Sequence, residues 1–262
     1  MNEIQPVSTY AEKQAKGEQV DVLFWVGCAG SFDERYKRVT LAIVNILNHT
    51  NINFAVLGEE EACTGDPARR AGNEFLFQMQ AIANIQVLNG YKVSKIITAC
   101  PHCFNTLKNE YPELGGSYEV LHHSTFIQQL INEGKITVKD GNSFTGTKIT
   151  LHDSCYLGRA NNIYKAPREV LEALDADLVE MKRSKTKGLC CGAGGAQMFK
   201  EPEKGTQDIN NERSKEAIAT GASTIATCCP FCMTMIADGI KNENKEGVVE
   251  VKDLAEVIND SI

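Results

Sequence analysis

A chain of 262 residues, 42% hydrophobic and 23% charged, is long enough for two ordinary globular domains. Its net charge of −7 and the lack of a basic run argue against nucleic acid and against direct binding to an anionic membrane surface. No stretch approaches the roughly 18–20 apolar residues of a membrane span, so the chain is not expected to be transmembrane itself. Residues 1–20 read as a polar N-terminal arm without the apolar core of a secretory signal. The expected location is cytoplasmic, with any attachment to the inner face of a membrane made through a partner.

The elements then follow in chain order. "DVLFWVGC" is an apolar run ending at Cys28, a strand feeding a loop. Tyr36, Val39, Leu41, Ile43, Val44 and Leu47 recur at helical spacing. "NFAVLG" predicts a short second strand, and Cys63 opens the loop after it. "NEFLFQMQAIANIQVLNG" predicts a long helix closed by Gly90. "KIITA" is a third strand that runs into Cys100-Pro101-His102-Cys103. "YEVLHHSTFIQQLINEG" predicts a strand and a helix, with His122 and His123 capping at the surface. A polar, glycine-rich stretch over 134–147 separates the halves.

The same order then repeats. "KITLHDSC" ends at Cys155, Val170, Leu171 and Leu174 form a helical pattern after Pro167, and "DLVEM" is a strand. Cys190 and Cys191 follow, then a helix over "DINNERSKEAIATG", then "TIATC" running into Cys229-Pro230-Phe231-Cys232. "VVEVKDLAEVI" closes the half. Cys28 and Cys155 are 127 residues apart, as are Cys63 and Cys190; Cys100 and Cys229 are 129 apart, as are Cys103 and Cys232. This is an internal duplication. Alternating strands and helices predict an α/β fold: two tandem homologous domains, 21–140 and 141–262, each a mainly parallel sheet flanked by helices. In such sheets ligands sit beyond the carboxyl ends of the strands, which is where the cysteines fall.

The chain has ten cysteines. Outside an oxidising compartment, that many point to metal or redox chemistry rather than structural bridges. Two cysteines three apart at a loop-to-helix turn suit one metal, or a thioredoxin-like redox pair. The second half has five repeated-position cysteines, more than tetrahedral zinc needs. Cys190 and Cys191 are adjacent, and Gly192, Gly194 and Gly195 clear side-chain bulk so that backbone N–H groups can approach inorganic sulfide. The first half has only Cys28, Cys63, Cys100 and Cys103, because Thr64 stands opposite Cys191. Four thiolates suit a cubane [4Fe–4S] cluster, a structural zinc, or an incomplete cluster with another ligand. Cys228 faces Ala99 in the repeat and reads as a buried strand-end thiol, or as an extra thiol for exchange. His152 is placed to tune a bound cofactor or relay protons. His102 is a donor by position, Asp66, Arg69 and Arg70 read as a salt-bridged helix start, and Trp25 reads as core.

"LHDSCYLGR", "CCGAGGAQMF" and the closing "CCPFC" resemble the CCG cysteine-rich domain of the B subunit of heterodisulfide reductase, found also in the iron–sulfur proteins of glycolate oxidase and of lactate utilisation. The resemblance covers nearly the whole chain. It implies a noncubane [4Fe–4S] cluster held by Cys155, Cys190, Cys191, Cys229 and Cys232, with a disulfide, quinone or flavin as electron acceptor. No ferredoxin-type cysteine run is present, so electrons are expected from a ferredoxin-like or flavin-containing subunit, itself membrane-associated in one variant of this reading. The competing expectations are a zinc-stapled scaffold without redox turnover and a metal-free thiol–disulfide exchanger.

Overall fold

The computed structural model describes residues 7–201 and 205–262. Strands β1 (Val22–Trp25), β2 (Phe54–Ala55), β3 (Lys95–Thr98) and β4 (Glu119–His122) form one parallel sheet in the order β2-β1-β3-β4. Strands β5 (Lys148–Leu151), β6 (Asp177–Leu178), β7 (Thr224–Thr227) and β8 (Glu250–Asp253) form a second, in the order β6-β5-β7-β8. The repeat in sequence is therefore a repeat in topology. The central strands β1 and β7 are buried along their whole length on both faces, as parallel strands between helical layers must be.

Parallel neighbours need crossovers, and helices supply them. The helices of the first half are α1 (Tyr10–Ala15), α2 (Gly27–Phe32), α3 (Lys37–His49), α4 (Asp66–Arg70), α5 (Glu74–Gly90), α6 (Pro101–Asn105) and α7 (His123–Asn132). In the second they are α8 (Cys155–Gly158), α9 (Lys165–Glu172), α10 (Ile209–Ile218), α11 (Pro230–Asn242) and α12 (Leu254–Asn259). Of the expected arm, residues 1–6 lie outside the described residues. The rest is partly ordered: α1 has a capping box between Thr9 and Glu12, and Thr9 bridges to Val56. Gly90 is the last residue of α5 rather than its stop, and the left-handed turn falls two residues later on Lys92.

The period of two along each strand divides the core. Val22, Phe24, Ile97, Ile149, Leu151 and Ala226 face a central layer, in which α3 packs on α12 and α7 on α9. Leu23, Trp25 and Ile96 face an outer core under α5, and Ile225 faces one under α10 and α11. The central layer belongs to both halves, and it brings the carboxyl ends of the two sheets together. His122 Nε2 donates to the carbonyls of Ala99 and Cys228, one at the end of each sheet, and His123 bonds Asp253 at 2.8 Å. His122 does cap α7, through Ser124 N–H, but both histidines are buried at this junction and not on the surface. Sequence alone places them after a strand; only the pairing of the sheets turns that strand end inward.

Candidate metal centre

Each second-half cysteine sits at a strand tip or in the loop beyond it. Cys155 opens α8 after β5, Cys190 and Cys191 occupy the loop after β6, and Cys229 caps α11 with Cys232 in its first turn. Pro230 takes the first helical position, where its missing N–H costs nothing. The thiols neighbour one another in series, Cys155 by Cys190, Cys190 by Cys191 and Cys232 by Cys229, with Cys191 Sγ 3.3 Å from Cys232 Sγ. All are free, with Cys191, Cys229 and Cys232 buried and Cys155 and Cys190 at the rim. Crowding sets their electrostatics. Hydrogen bonds from Cys155 and Cys191, helped by Gly192 N–H, hold Cys190 far below the usual thiol range. Cys155 and Cys232 are pushed up, first by thiol neighbours and then by burial. Five thiolates cannot coexist here without a positively charged core, which is the donor chemistry an iron–sulfur group meets.

Two of the glycines lie against the thiols. Gly192, at φ +96°, turns its N–H onto Cys190 Sγ at 3.3 Å, and a Cβ on Gly194 would lie 3.8 Å from Cys155 Sγ. Gly195 supplies a left-handed residue at the next turn, with open space where a Cβ would stand and no thiol beside it. His152, just past β5, is buried, and one of its ring nitrogens lies with the sulfurs of Cys191 and Cys232 inside a 4.8 Å group. Burial, then the charge of Arg213, pushes its pKa down to about 3, so the ring is neutral.

The first half repeats the arrangement with four thiols. Cys28 lies in α2, Cys63 in the loop after β2, Cys100 caps α6 and Cys103 follows in its first turn. All four line one cavity. Gly65, at φ +88°, donates its N–H to Cys63 Sγ at 3.5 Å, the counterpart of Gly192. Thr64 Oγ1 stands 3.8 Å from Cys103 Sγ, where the second half has the Cys191–Cys232 contact. Glu61, unnoticed in the sequence, accepts from the N–H groups of Val26 at 2.9 Å and Gly27 at 2.6 Å. It thereby satisfies the start of the helix that carries Cys28. Burial raises its pKa to about 7 despite those bonds.

The two sites share a wall. The third residue of each Cys-Pro-x-Cys turn crosses to the other half: Phe231 lines the cavity of the first-half thiols, and His102 contacts Cys229. His102 stacks on Tyr156 with centroids 4.0 Å apart, meets Phe231 edge-on at 5.1 Å, and holds Asp66 through Nδ1 at 2.9 Å. Burial alone would lower its pKa; the bonds to Asp66 and Cys229 reverse that and raise it to about 11. Asp66 also binds Arg70, and Arg69 and Arg70 share Glu110, so this helix start is salt-bridged as expected and also buttresses the site. Cys228 is fully buried in the central core and does not line the first-half cavity. Trp25 is core.

Two buried arginines were not visible in sequence. Arg168 forks onto Asp153 and Glu180 behind Cys155, and Arg213 lies on α10 against His152. The buried stripe of α10 is Asn210, Arg213, Ser214 and Ala217. Its spacing is helical but its residues are mostly polar, so a search for apolar periodicity passes over it.

Among the described residues no helix is long and apolar enough to cross a membrane. The cysteine-rich CCG domain matches twice, over residues 22–108 and 149–237. An EtfAB:quinone oxidoreductase of Syntrophomonas wolfei is 45% identical over 92% of this chain and 34% of its own length. The probable iron–sulfur-binding oxidoreductase FadF of Bacillus subtilis is 42% identical, over 98% of this chain and 36% of its own. The D subunit of the dihydromethanophenazine:CoB–CoM heterodisulfide reductase of Methanosarcina mazei is 32% identical, over 94% of this chain and 60% of its own. The chain thus spans about a third of the first two relatives and three fifths of the third. With two matches at the two cysteine sites, the chain belongs to the CCG cysteine-rich domain family.

Proposed function

We propose that the chain is an iron–sulfur electron-transfer subunit of an oxidoreductase. The observation that carries this is the continuous set of five free thiols, Cys155, Cys190, Cys191, Cys229 and Cys232, closed by the 3.3 Å approach of Cys191 to Cys232. These residues would hold a [4Fe–4S] cluster of the noncubane type, which supplies one-electron transfer to a disulfide, quinone or flavin acceptor. The chain's own part is preorganisation. Gly192 N–H stabilises negative charge on Cys190, His102 does the same for Cys229, and the apolar wall around Cys191, Cys229 and Cys232 keeps water from three of the sulfurs. Cys155 and Cys190, at the rim, mark the side from which an acceptor approaches.

The four-thiol set of the first half suits a cubane [4Fe–4S] cluster or a zinc ion. Thr64, in the place of a fifth thiol, supports a four-ligand group there. In this reading residues 1–20 are an arm, 21–140 the four-cysteine domain and 141–262 the five-cysteine domain. Electrons come from a ferredoxin-like or flavin-containing partner, in the cytoplasm or at the inner face of the membrane. The relatives' names, which join iron–sulfur, quinone and heterodisulfide chemistry, support the class of reaction.

The test is anaerobic reconstitution of the full chain with iron and sulfide counted against protein, and EPR of the reduced and oxidised forms. Cys191→Ser is expected to lose the iron and signal of the second-half site and keep those of the first. Unchanged iron and signal would remove the five-ligand assignment, and a colourless protein with stoichiometric zinc would remove the redox function.

A further inference from the structure

Arg213 is 0% exposed. Its Nε donates to Nδ1 of His152 at 3.0 Å, and its Nη1 donates to the Arg183 carbonyl at 2.8 Å and to Glu216 at 3.1 Å. A guanidinium only donates. Nδ1 of His152 is therefore the acceptor, and the neutral ring carries its proton on Nε2. The sulfurs of Cys191 and Cys232 are 3.3 Å apart, and His152 stands within 4.8 Å of both. By distance alone this trio is a three-ligand metal site.

We infer that Arg213 prevents His152 from serving as a metal ligand and makes it a hydrogen-bond donor to the neighbouring sulfurs, so that the second-half site is held by sulfur alone. Ligation needs a free lone pair. The one on Nδ1 is bound by Arg213 Nε–H, and Nε2 carries hydrogen. Arg213 is thus a positioning residue acting through His152. Packing by itself does not call for this arrangement, since an apolar side chain would fill α10 without burying a guanidinium whose Nη2 finds no partner among the described residues. What the guanidinium adds is a directed N–H at Nδ1, as outer partners of ligand histidines do elsewhere with the opposite polarity.

The inference rests on the iron–sulfur reading for what the sulfurs hold, but the tautomer does not. The first measurement is therefore made on metal-free full-length protein, by long-range proton–nitrogen NMR of the His152 ring. Wild type is expected to show Nδ1 unprotonated and Nε2 protonated. Arg213→Met is expected to bring in the Nδ1-protonated form. Arg213→Leu, which likewise has no donor to offer Nδ1, serves the same purpose should the methionine variant fail to fold. The second measurement is on iron-loaded protein with nitrogen-15 histidine, by pulsed EPR. Wild type should show only the weak coupling of a hydrogen-bonded ring, and the Arg213 variants the strong coupling of a ligated nitrogen. A wild-type ring protonated on Nδ1, strong coupling in wild type, or tautomer signals identical in wild type and both variants would overturn the inference. Failure of wild type to bind iron would sink the proposed function and leave the NMR result to decide this point.

Discussion

Gly65 and Gly192 occupy the same place in the two repeats, and replacing each by alanine separates two physical costs. Both have positive φ, +88° and +96°, and both aim an N–H at the sulfur two residues back. A left-handed alanine costs about 1–2 kcal/mol at either position. The surroundings then differ. A Cβ on Gly192 would sit 3.4 Å from Ile209 Cβ and from the flexible end of Met235, which is ordinary contact. A Cβ on Gly65 would sit 2.8 Å from Phe77 Cδ2 and 3.2 Å from Phe77 Cα and its carbonyl oxygen. The ring can turn, but Phe77 Cα and oxygen are backbone of α5, so the helix itself must shift. Overpacking of this kind adds about 1–3 kcal/mol. Gly65→Ala is thus expected to destabilise by about 2–5 kcal/mol and Gly192→Ala by about 1–2 kcal/mol. Urea unfolding of the metal-free chain, followed by circular dichroism, measures both. Alanine keeps the N–H, so the milder variant should retain its iron on reconstitution. Equal costs, or a larger cost at Gly192, would refute the reasoning that the backbone of Phe77 confines Gly65 more tightly than Ile209 and Met235 confine Gly192.

Two further expectations follow from buried ion pairs. Removing the His102 contact from Cys229 with His102→Leu should make reduction of the second-half site harder by on the order of tenfold, about 59 mV for one electron, with His102→Gln recovering part of it; an unshifted potential in an EPR-monitored redox titration would contradict this. Arg168→Met should destabilise the fold by about 3–5 kcal/mol, because it strands Asp153 in a buried place. In the wild type, burial would raise the Asp153 pKa but Arg168 and the Lys185 N–H bring it below the usual value, while Arg168 lowers Glu180 directly. Both groups are depressed in the folded state, so their contribution is full above about pH 5 and is lost as the pH falls through the unfolded and then the folded values; an acid midpoint unchanged in Arg168→Met would count against the network.

The order of strands and helices and the two cysteine sets were legible because they rest on local rules. The apolar run "VLFW" and the β-branched "TIAT" mark strands buried on both faces, and the 127-residue offset marks the repeat. The boundaries were less so: β2 and β6 have two residues each, because "NFAVLG" and "DLVEM" leave the sheet early to form the loops that carry Cys63 and Cys190. What sequence did not reveal depends on how the halves meet. His122 and His123 look like surface caps until the central layer of α3, α7, α9 and α12 turns them inward. Arg213 and Glu61 look like ordinary surface charges, since nothing local distinguishes a charge that will be buried against a histidine or a helix start.

That central layer also bears on whether either site is a unit by itself. Val39, Ile43 and Leu47 of α3 are buried together with Leu254, Val257 and Ile258 of α12, and the strands beneath them belong to different sheets. Separating the halves would expose this layer and open both sites at once. Cys229 would lose His102, and the first-half cavity would lose Phe231 and Pro230. The turn that keeps four thiols sends an imidazolium toward the five-thiol set, and the turn that keeps five sends a phenyl ring back. A donor placed on a ligand sulfur favours the more negative, reduced state of whatever that sulfur binds, while an aromatic wall excludes water and disfavours it. The exchange therefore gives the five-thiol set a charged donor and the four-thiol set an apolar wall, so that whatever either site holds would feel a side chain from the other half.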